Sequence, residues 1–189
     1  MKTLFKMNVL LIGLMFVVSL GYAQVKSDYD KNADFTKYKT YSFEGWQKDS
    51  DKQLNDFDKK RLLDALKAEF EKRDMKLVTD GEADAGIALY IVLDKKTSTT
   101  AYTDYMGGMG YGPRWGWGMG AGGTATTTYS EDDYIQGTLV VDMYDGESKA
   151  LVWQGILTTD VQEKPEKRDK TIPKKIKKLM SKYPIAAKK

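Results

Sequence analysis

The hydrophobic pattern changes period several times along the chain, and each change marks an element. Val9 to Leu20 is an apolar block preceded by Lys2 and Lys6 and followed by Gly21-Tyr22-Ala23, then polar Gln24. A short cationic start, an apolar centre and small residues at −3 and −1 form a secretory signal peptide, so cleavage is expected after Ala23. The block is shorter than the roughly 20 residues that cross a bilayer as a helix. The mature chain is therefore expected not to span a membrane.

Beyond the leader, Lys39 to Phe43 alternates with period two, which predicts a first strand. A polar connector, Gln47 to Asp56, follows. Leu62, Ala65, Leu66, Glu69, Phe70 and Arg73 then recur at helical spacing, with Asn55 as N-cap and Asp56 and Asp58 in the first turn. Ile87 to Leu93 is apolar on both faces and reads as a central strand, extended outward by Thr97 to Tyr102. Thr124 to Tyr129 has strand composition, and Ile135 to Tyr144 alternates clearly. Asp145 to Ser148 is a turn, and Leu151 to Leu157 returns antiparallel, with Leu151 and Trp153 expected on one buried face. A last helix is expected from Thr171 as N-cap, with Pro173 in its first turn and Ile172, Ile176, Leu179, Met180 and Tyr183 on one side.

The order β-α-β-β-β-β-α predicts an α+β fold: a single, mainly antiparallel sheet with two amphipathic helices packed on one face. Residues 24–189 form one domain, since the 166 residues left after cleavage suffice for one core. Between the strands lies a tract, residues 107–123, holding nine glycines interleaved with Tyr111, Trp115 and Trp117. Ordering so many glycines is entropically costly, so the tract is expected to be a poorly ordered hairpin loop, dispensable for folding.

Charge and composition narrow the chemistry. The leader holds two of the 30 basic residues and none of the 27 acidic ones, so the mature chain is near neutral and no global field favours nucleic acid. From Glu163 onward, however, eleven Lys/Arg face three Asp/Glu. There is no cysteine and no histidine. Cys–His and Ser–His–Asp nucleophilic sites and Cys/His zinc sites are thereby excluded, as is a lipid-modified cysteine.

Two motifs fail on inspection. Asp28-Tyr29-Asp30-Lys31-Asn32 begins like a calcium loop, but Ala33 and Lys39 stand where glycine and a bidentate glutamate are needed. Gly118-Met119-Gly120-Ala121-Gly122-Gly123 matches G-x-G-x-x-G only because glycine is nearly every second residue there. No cofactor and no metal site are expected.

The segments Asp28-Tyr29-Asp30, Ala33-Asp34-Phe35 and Tyr38-Lys39-Thr40-Tyr41 resemble the opening of the bacterial DUF4136 domain. Gly137-Thr138-Leu139-Val140-Val141-Asp142, Leu151-Val152-Trp153-Gln154-Gly155 and the lysine-rich helix ending at Tyr183-Pro184 resemble its later parts, over roughly residues 25–185. The resemblance implies an envelope domain of unknown function, often carried on exported lipoproteins, with no catalytic residues to transfer. Lacking the lipoprotein cysteine, this chain is expected to be exported to the periplasm or cell envelope.

Two functions stay open. The first is a non-enzymatic binding or structural module using Tyr111, Arg114, Trp115 and Trp117 toward an envelope protein, glycan or membrane surface, because exposed aromatics supply large contact area. The lysine face from Lys174 to Lys182 offers a further anionic-surface contact. The alternative is a small-ligand- or glycan-acting enzyme using paired carboxylates, with Asp142, Asp145 and Asp160 as the available acids; the reaction needs two of them about 5–9 Å apart.

Overall fold

β1 (Gln24–Tyr29) lies at one edge of a six-stranded sheet and pairs antiparallel with β6 (Leu151–Asp160). The computed structural model describes residues 23–105 and 125–188, and side chains outside residues 100–129. The sheet order is β1-β6-β5-β4-β2-β3, where β2 is Thr40–Trp46, β3 Lys76–Leu77, β4 Ala85–Tyr105 and β5 Ala125–Asp145. The pairings β1·β6, β6·β5 and β5·β4 are antiparallel, but β4·β2 and β2·β3 are parallel. The sheet is thus mixed, which corrects the expectation of a mainly antiparallel one. β2 reaches β4 through a helix and β3, a connection long enough to return the chain in parallel.

That helix, α1 (Asp56–Glu71), forms as its pattern predicts. Asn55 accepts the Asp58 N–H at 2.9 Å, supplying an acceptor to one of the orphan amides of the first turn. Leu62, Ala65, Leu66, Glu69, Phe70 and Arg73, the predicted stripe, are all buried. Asp74 takes a positive φ of 60° just past the helix, and the Met75 N–H returns to Phe70 O at 3.1 Å.

The last helix, α2 (Pro165–Met180), begins six residues before the expected Thr171. Pro165 supplies the first-turn proline, and Pro173 lies in the interior. Thr171 donates its hydroxyl to Lys167 O at 2.9 Å, a local bond that accompanies the interruption. α1 and α2 pack against each other, and α2 also contacts β6 and β1.

Alternation settles the sheet's buried side. Ile87, Leu89 and Ile91 of β4 pair with Met143, Val141 and Leu139 of β5, and all six are buried. Trp153, opposite Met143, is fully buried. Leu151 does not share its face as alternation predicts: it is 47% exposed. The register slips between Met143 and Tyr144, inserting Val152 as an extra residue, so Val152 and Trp153 are both buried and Leu151 turns out. The predicted antiparallel pairing of Gly137–Asp142 with the return strand is present.

Candidate functional site

The site begins with a pair of carboxylate contacts that join the two helices. Asp58, in the first turn of α1, is buried and accepts from Asn55 Nδ2 at 2.8 Å and Arg61 Nη1 at 2.8 Å. It also accepts from Arg168 Nη1 of α2, and Arg61 Nε donates to Asp169 Oδ1 at 2.5 Å. The helix N-terminus adds its own positive potential beneath Asp58. Asp58, Arg61, Arg168 and Asp169 thus staple the start of α2 to the start of α1, and Asp58 and Arg168 line one side of a pocket.

The pocket has a volume of about 450 Å³ and is lined from α1, α2, β4, β5 and β6. Its floor is apolar: Leu62, Ile91, Leu139, Leu157 and Ile176 are buried there, with half-buried Leu93 and Ile172 above them. Tyr134 and Ile135, both exposed, continue the apolar surface outward at its mouth. This size and lining suit a small apolar ligand. Two of the pocket's polar groups are donors in unusual settings. Arg168 donates through Nη2 to Glu163 O at 3.1 Å, while its Nε–H is buried without a partner among the described residues. Lys175 donates to Asp160 O at 2.8 Å, and burial pushes its ammonium pKa down, with Asp160 opposing in part.

A backbone-like role of Gln53 shapes the neighbouring wall. The 3₁₀ turns of Gln47–Gln53 run beside β4 after β2 has ended. There Gln53 Oε1 accepts the Leu93 N–H at 2.9 Å and Gln53 Nε2 donates to Ile91 O at 3.3 Å, while Ser50 Oγ accepts the Ile91 N–H at 3.1 Å. Two side chains thereby substitute for a neighbouring strand.

A second, polar cleft of about 910 Å³ is lined by Lys37, Glu44, Asp84 and Asp145 among others. Two of its acids are committed to the fold. Asp84 accepts the N–H groups of Lys39 and Thr40, each at 2.8 Å, which holds its pKa down. Asp145 is bound by Lys37, Ser148 and Tyr38, and these hold its carboxyl well below the usual range. This cleft has a mainly polar lining and the other pocket a mainly apolar one, so the latter is the better site for an apolar ligand.

The expected carboxylates do not form a catalytic pair. Asp142 and Asp145 lie three residues apart on a strand regularly paired with β4, so alternation sends them to opposite faces. Asp142 accepts from Gln154 Nε2 at 2.7 Å. Asp160 is exposed at the end of β6, where its backbone carbonyl meets Lys175. Among the described residues, every carboxylate displaced from its ordinary pKa (Asp34, Glu69, Asp84 and Asp145) is displaced downward, whereas a general acid needs the reverse. Among the described residues no cluster of three or more acids is arranged to hold a metal, and no helix is long and apolar enough to cross a membrane.

Tyr111, Arg114, Trp115 and Trp117 lie outside the described residues. β4 and β5 lead into and out of their segment. The pocket's own residues were not legible as a site: Asp58 and Arg168 are 110 positions apart, and no spacing relates them.

The described residues form an α+β domain: a mixed six-stranded sheet with helices Asp56–Glu71 and Pro165–Met180, and an apolar pocket. The chain belongs to the family described as "Domain of unknown function (DUF4136)", whose profile matches residues 25–185. No curated protein matches it. Among solved structures it is similar to a PDZ domain protein from Parabacteroides distasonis, with a TM-score of 0.50 and 11% identity over 88% of this chain. The chain spans 37% of that protein, and the likeness is one of fold. Two structures of the PelC dodecamer from Paraburkholderia phytofirmans align with TM-scores of 0.43 and 0.45 at 12% and 9% identity. These alignments cover 85% of this chain and 95% and 96% of theirs.

Proposed function

We propose that this chain is an exported, non-enzymatic binding module of the cell envelope, which takes the apolar part of a small ligand between its helices and its sheet. In this reading both helices lie over one face of the sheet, and the pocket is the gap left where they diverge. The observation that carries it is the pocket itself: an apolar floor and a rim with an unused Arg168 donor. Tyr111, Arg114, Trp115 and Trp117, which lie between β4 and β5 in the sequence, supply a second contact, toward a glycan, protein or membrane surface. Export is supported by the leader pattern, and β1 enters the sheet at Gln24, the expected first residue after cleavage.

The test uses the mature chain, residues 24–189, titrated with the apolar fluorophore N-phenyl-1-naphthylamine. Saturable binding is expected, abolished by Ile172→Trp, which fills the pocket from half-buried α2 surface. Equal binding by a folded Ile172→Trp variant, or no binding by the parent, rejects the pocket. The aromatic contact is tested separately with Trp115→Ala/Trp117→Ala against envelope fractions. Intact-mass measurement of protein from the envelope is expected to give Gln24 as the first residue, and a mass that retains the leader rejects cleavage.

A further inference from the structure

β4 and β5 run well past every other strand. β2 stays with β4 only to Leu89, and Ser50 and Gln53 cover its edge no further than Leu93. On the other side β6 stays with β5 to Gln136, and the Val161 N–H makes one last bond to Ile135 O. From Lys95↔Ile135 out to Tyr105↔Ala125 the two strands pair only with each other among the described residues. A two-stranded ribbon is marginal in water, and each of its edges presents unpaired N–H and C=O groups.

The two edges carry opposite charge. Lys95 and Lys96 are exposed on β4 beside the exposed Asp94, which leaves that stretch net basic, and Glu131, Asp132 and Asp133 are exposed on β5. Among the described residues none of the six is in a salt bridge; Asp133 accepts only the Thr97 hydroxyl, at 2.9 Å. The intramolecular register explains why: Lys95 stands opposite Ile135 and Lys96 opposite Tyr134, so the basic and acidic positions miss one another by two residues.

We propose that this ribbon is a self-association surface, through which the β4 edge of one copy pairs antiparallel with the β5 edge of the next. A register placing Lys95 opposite Asp133 and Lys96 opposite Asp132 puts one ion pair on each face. It also keeps the faces consistent, because odd positions of β4 already pair with odd positions of β5 within one copy. Directly opposed strand residues lie close enough for opposite charges to attract and like charges to repel. The contact is heterologous, so each copy has one basic and one acidic edge to offer and the association propagates head to tail. A second copy fits better than an unrelated strand, because the chain itself carries both complementary edges.

The test measures the mass of the mature chain in solution by sedimentation at low and high salt. Oligomers are expected at low salt, and their association constant is expected to fall about tenfold or more as screening shortens the reach of the charges. Lys95→Glu/Lys96→Glu makes both edges acidic, and Asp132→Lys/Asp133→Lys makes both basic. Each variant alone is expected to be monomeric with an unchanged melting curve, and an equimolar mixture to reassociate. If a reversal disturbs folding, the milder Lys95→Gln/Lys96→Gln pair serves in its place and is expected to weaken association. A monomeric parent at low salt, variants that associate like the parent, or a mixture that stays monomeric overturns the proposal. So does a folded monomer that pairs only with a different envelope protein.

Discussion

Tyr38 donates its phenolic hydroxyl to Asp145 Oδ2 at 2.9 Å, joining two segments 107 residues apart. Tyr38 follows the Phe35–Lys37 turn before β2, and Asp145 ends β5. Burial, then the bond to Asp145, pushes the Tyr38 pKa up to about 12. Asp145 Oδ1 meanwhile accepts the N–H groups of Glu147 and Ser148 and the Ser148 hydroxyl, shaping the turn to β6. One carboxylate therefore fixes both the entry to β2 and the β5–β6 connection.

Asp145→Asn is expected to destabilise the domain by about 2 kcal/mol, the scale for disturbing several hydrogen bonds to one buried charged group. The sign of its pH dependence follows from the lowered folded-state pKa. The carboxylate's contribution is full above its unfolded value near 4 and is lost as pH falls toward the folded value. The stability gap between parent and variant should therefore narrow from about pH 5 to about pH 3. Urea unfolding across that range measures it, and a constant gap rejects the role.

A second prediction concerns Arg73, which binds the chain's end to α1. Its Nη1 donates to Glu69 O at 2.6 Å and Glu69 Oε2 at 3.0 Å, its Nη2 to Met180 O at 2.6 Å and its Nε to Ile185 O at 2.9 Å. Arg73→Met leaves a buried carboxylate and three carbonyls short of donors, at a cost of about 3–5 kcal/mol. Arg73→Lys cannot reproduce the fork and should recover only part of that loss. Chemical denaturation of both variants tests the order, and a neutral Arg73→Met rejects it.

The parts of this fold that were legible in sequence are those whose partners are near in sequence. α1 announced itself because Leu62 to Arg73 repeats at helical spacing behind a capping Asn55, and the β5–β6 pairing because one turn sets its register. β1 was not legible: it is an edge strand in which only Val25 is even half-buried, so little alternation marks it. β3 is two residues long, and the parallel β2·β4 pairing is set by tertiary contact across the helix. The bulge at Val152 reversed Leu151 because alternation cannot reveal an inserted residue. The pocket escaped for a related reason. Its floor residues look like ordinary core, and no sequence pattern tells a core position that lines a cavity from one that does not.

Gly155 tests how tightly the sheet's buried side is filled. A Cβ there would stand 2.7 Å from Trp153 Cζ2 and 3.0 Å from Leu179 Cδ1. Trp153 is held in place by its Nε1–H, which donates to Ser27 Oγ at 2.9 Å, and by Tyr183 at 5.4 Å between ring centres. Neither neighbour yields cheaply, so Gly155→Ala is expected to cost about 1–3 kcal/mol through overpacking. Thermal unfolding measures the loss. A variant as stable as the parent would show that the indole can shift.

Replacing residues 107–123 by a short turn is expected to leave stability within about 1 kcal/mol of the parent, the scale of neutral surface changes. The argument has two parts. Nine of those 17 residues are glycine, with no side chain to bury and much backbone freedom to lose. The core is meanwhile filled from elsewhere, by the β4 and β5 positions from Ala85 to Ile91 and Leu139 to Met143, by Trp153, and by both helices. Closure entropy changes slowly with loop length, so shortening the connection between Tyr105 and Ala125 adds little of its own. Urea denaturation of the deletion variant measures the effect on folding, and the N-phenyl-1-naphthylamine titration shows whether the pocket is intact. Retained stability and retained pocket binding, with loss of association to envelope fractions, would separate the two contacts. A deletion that unfolds the domain would mean that Tyr111, Trp115 and Trp117 are structural, and the binding role of that segment would have to be withdrawn.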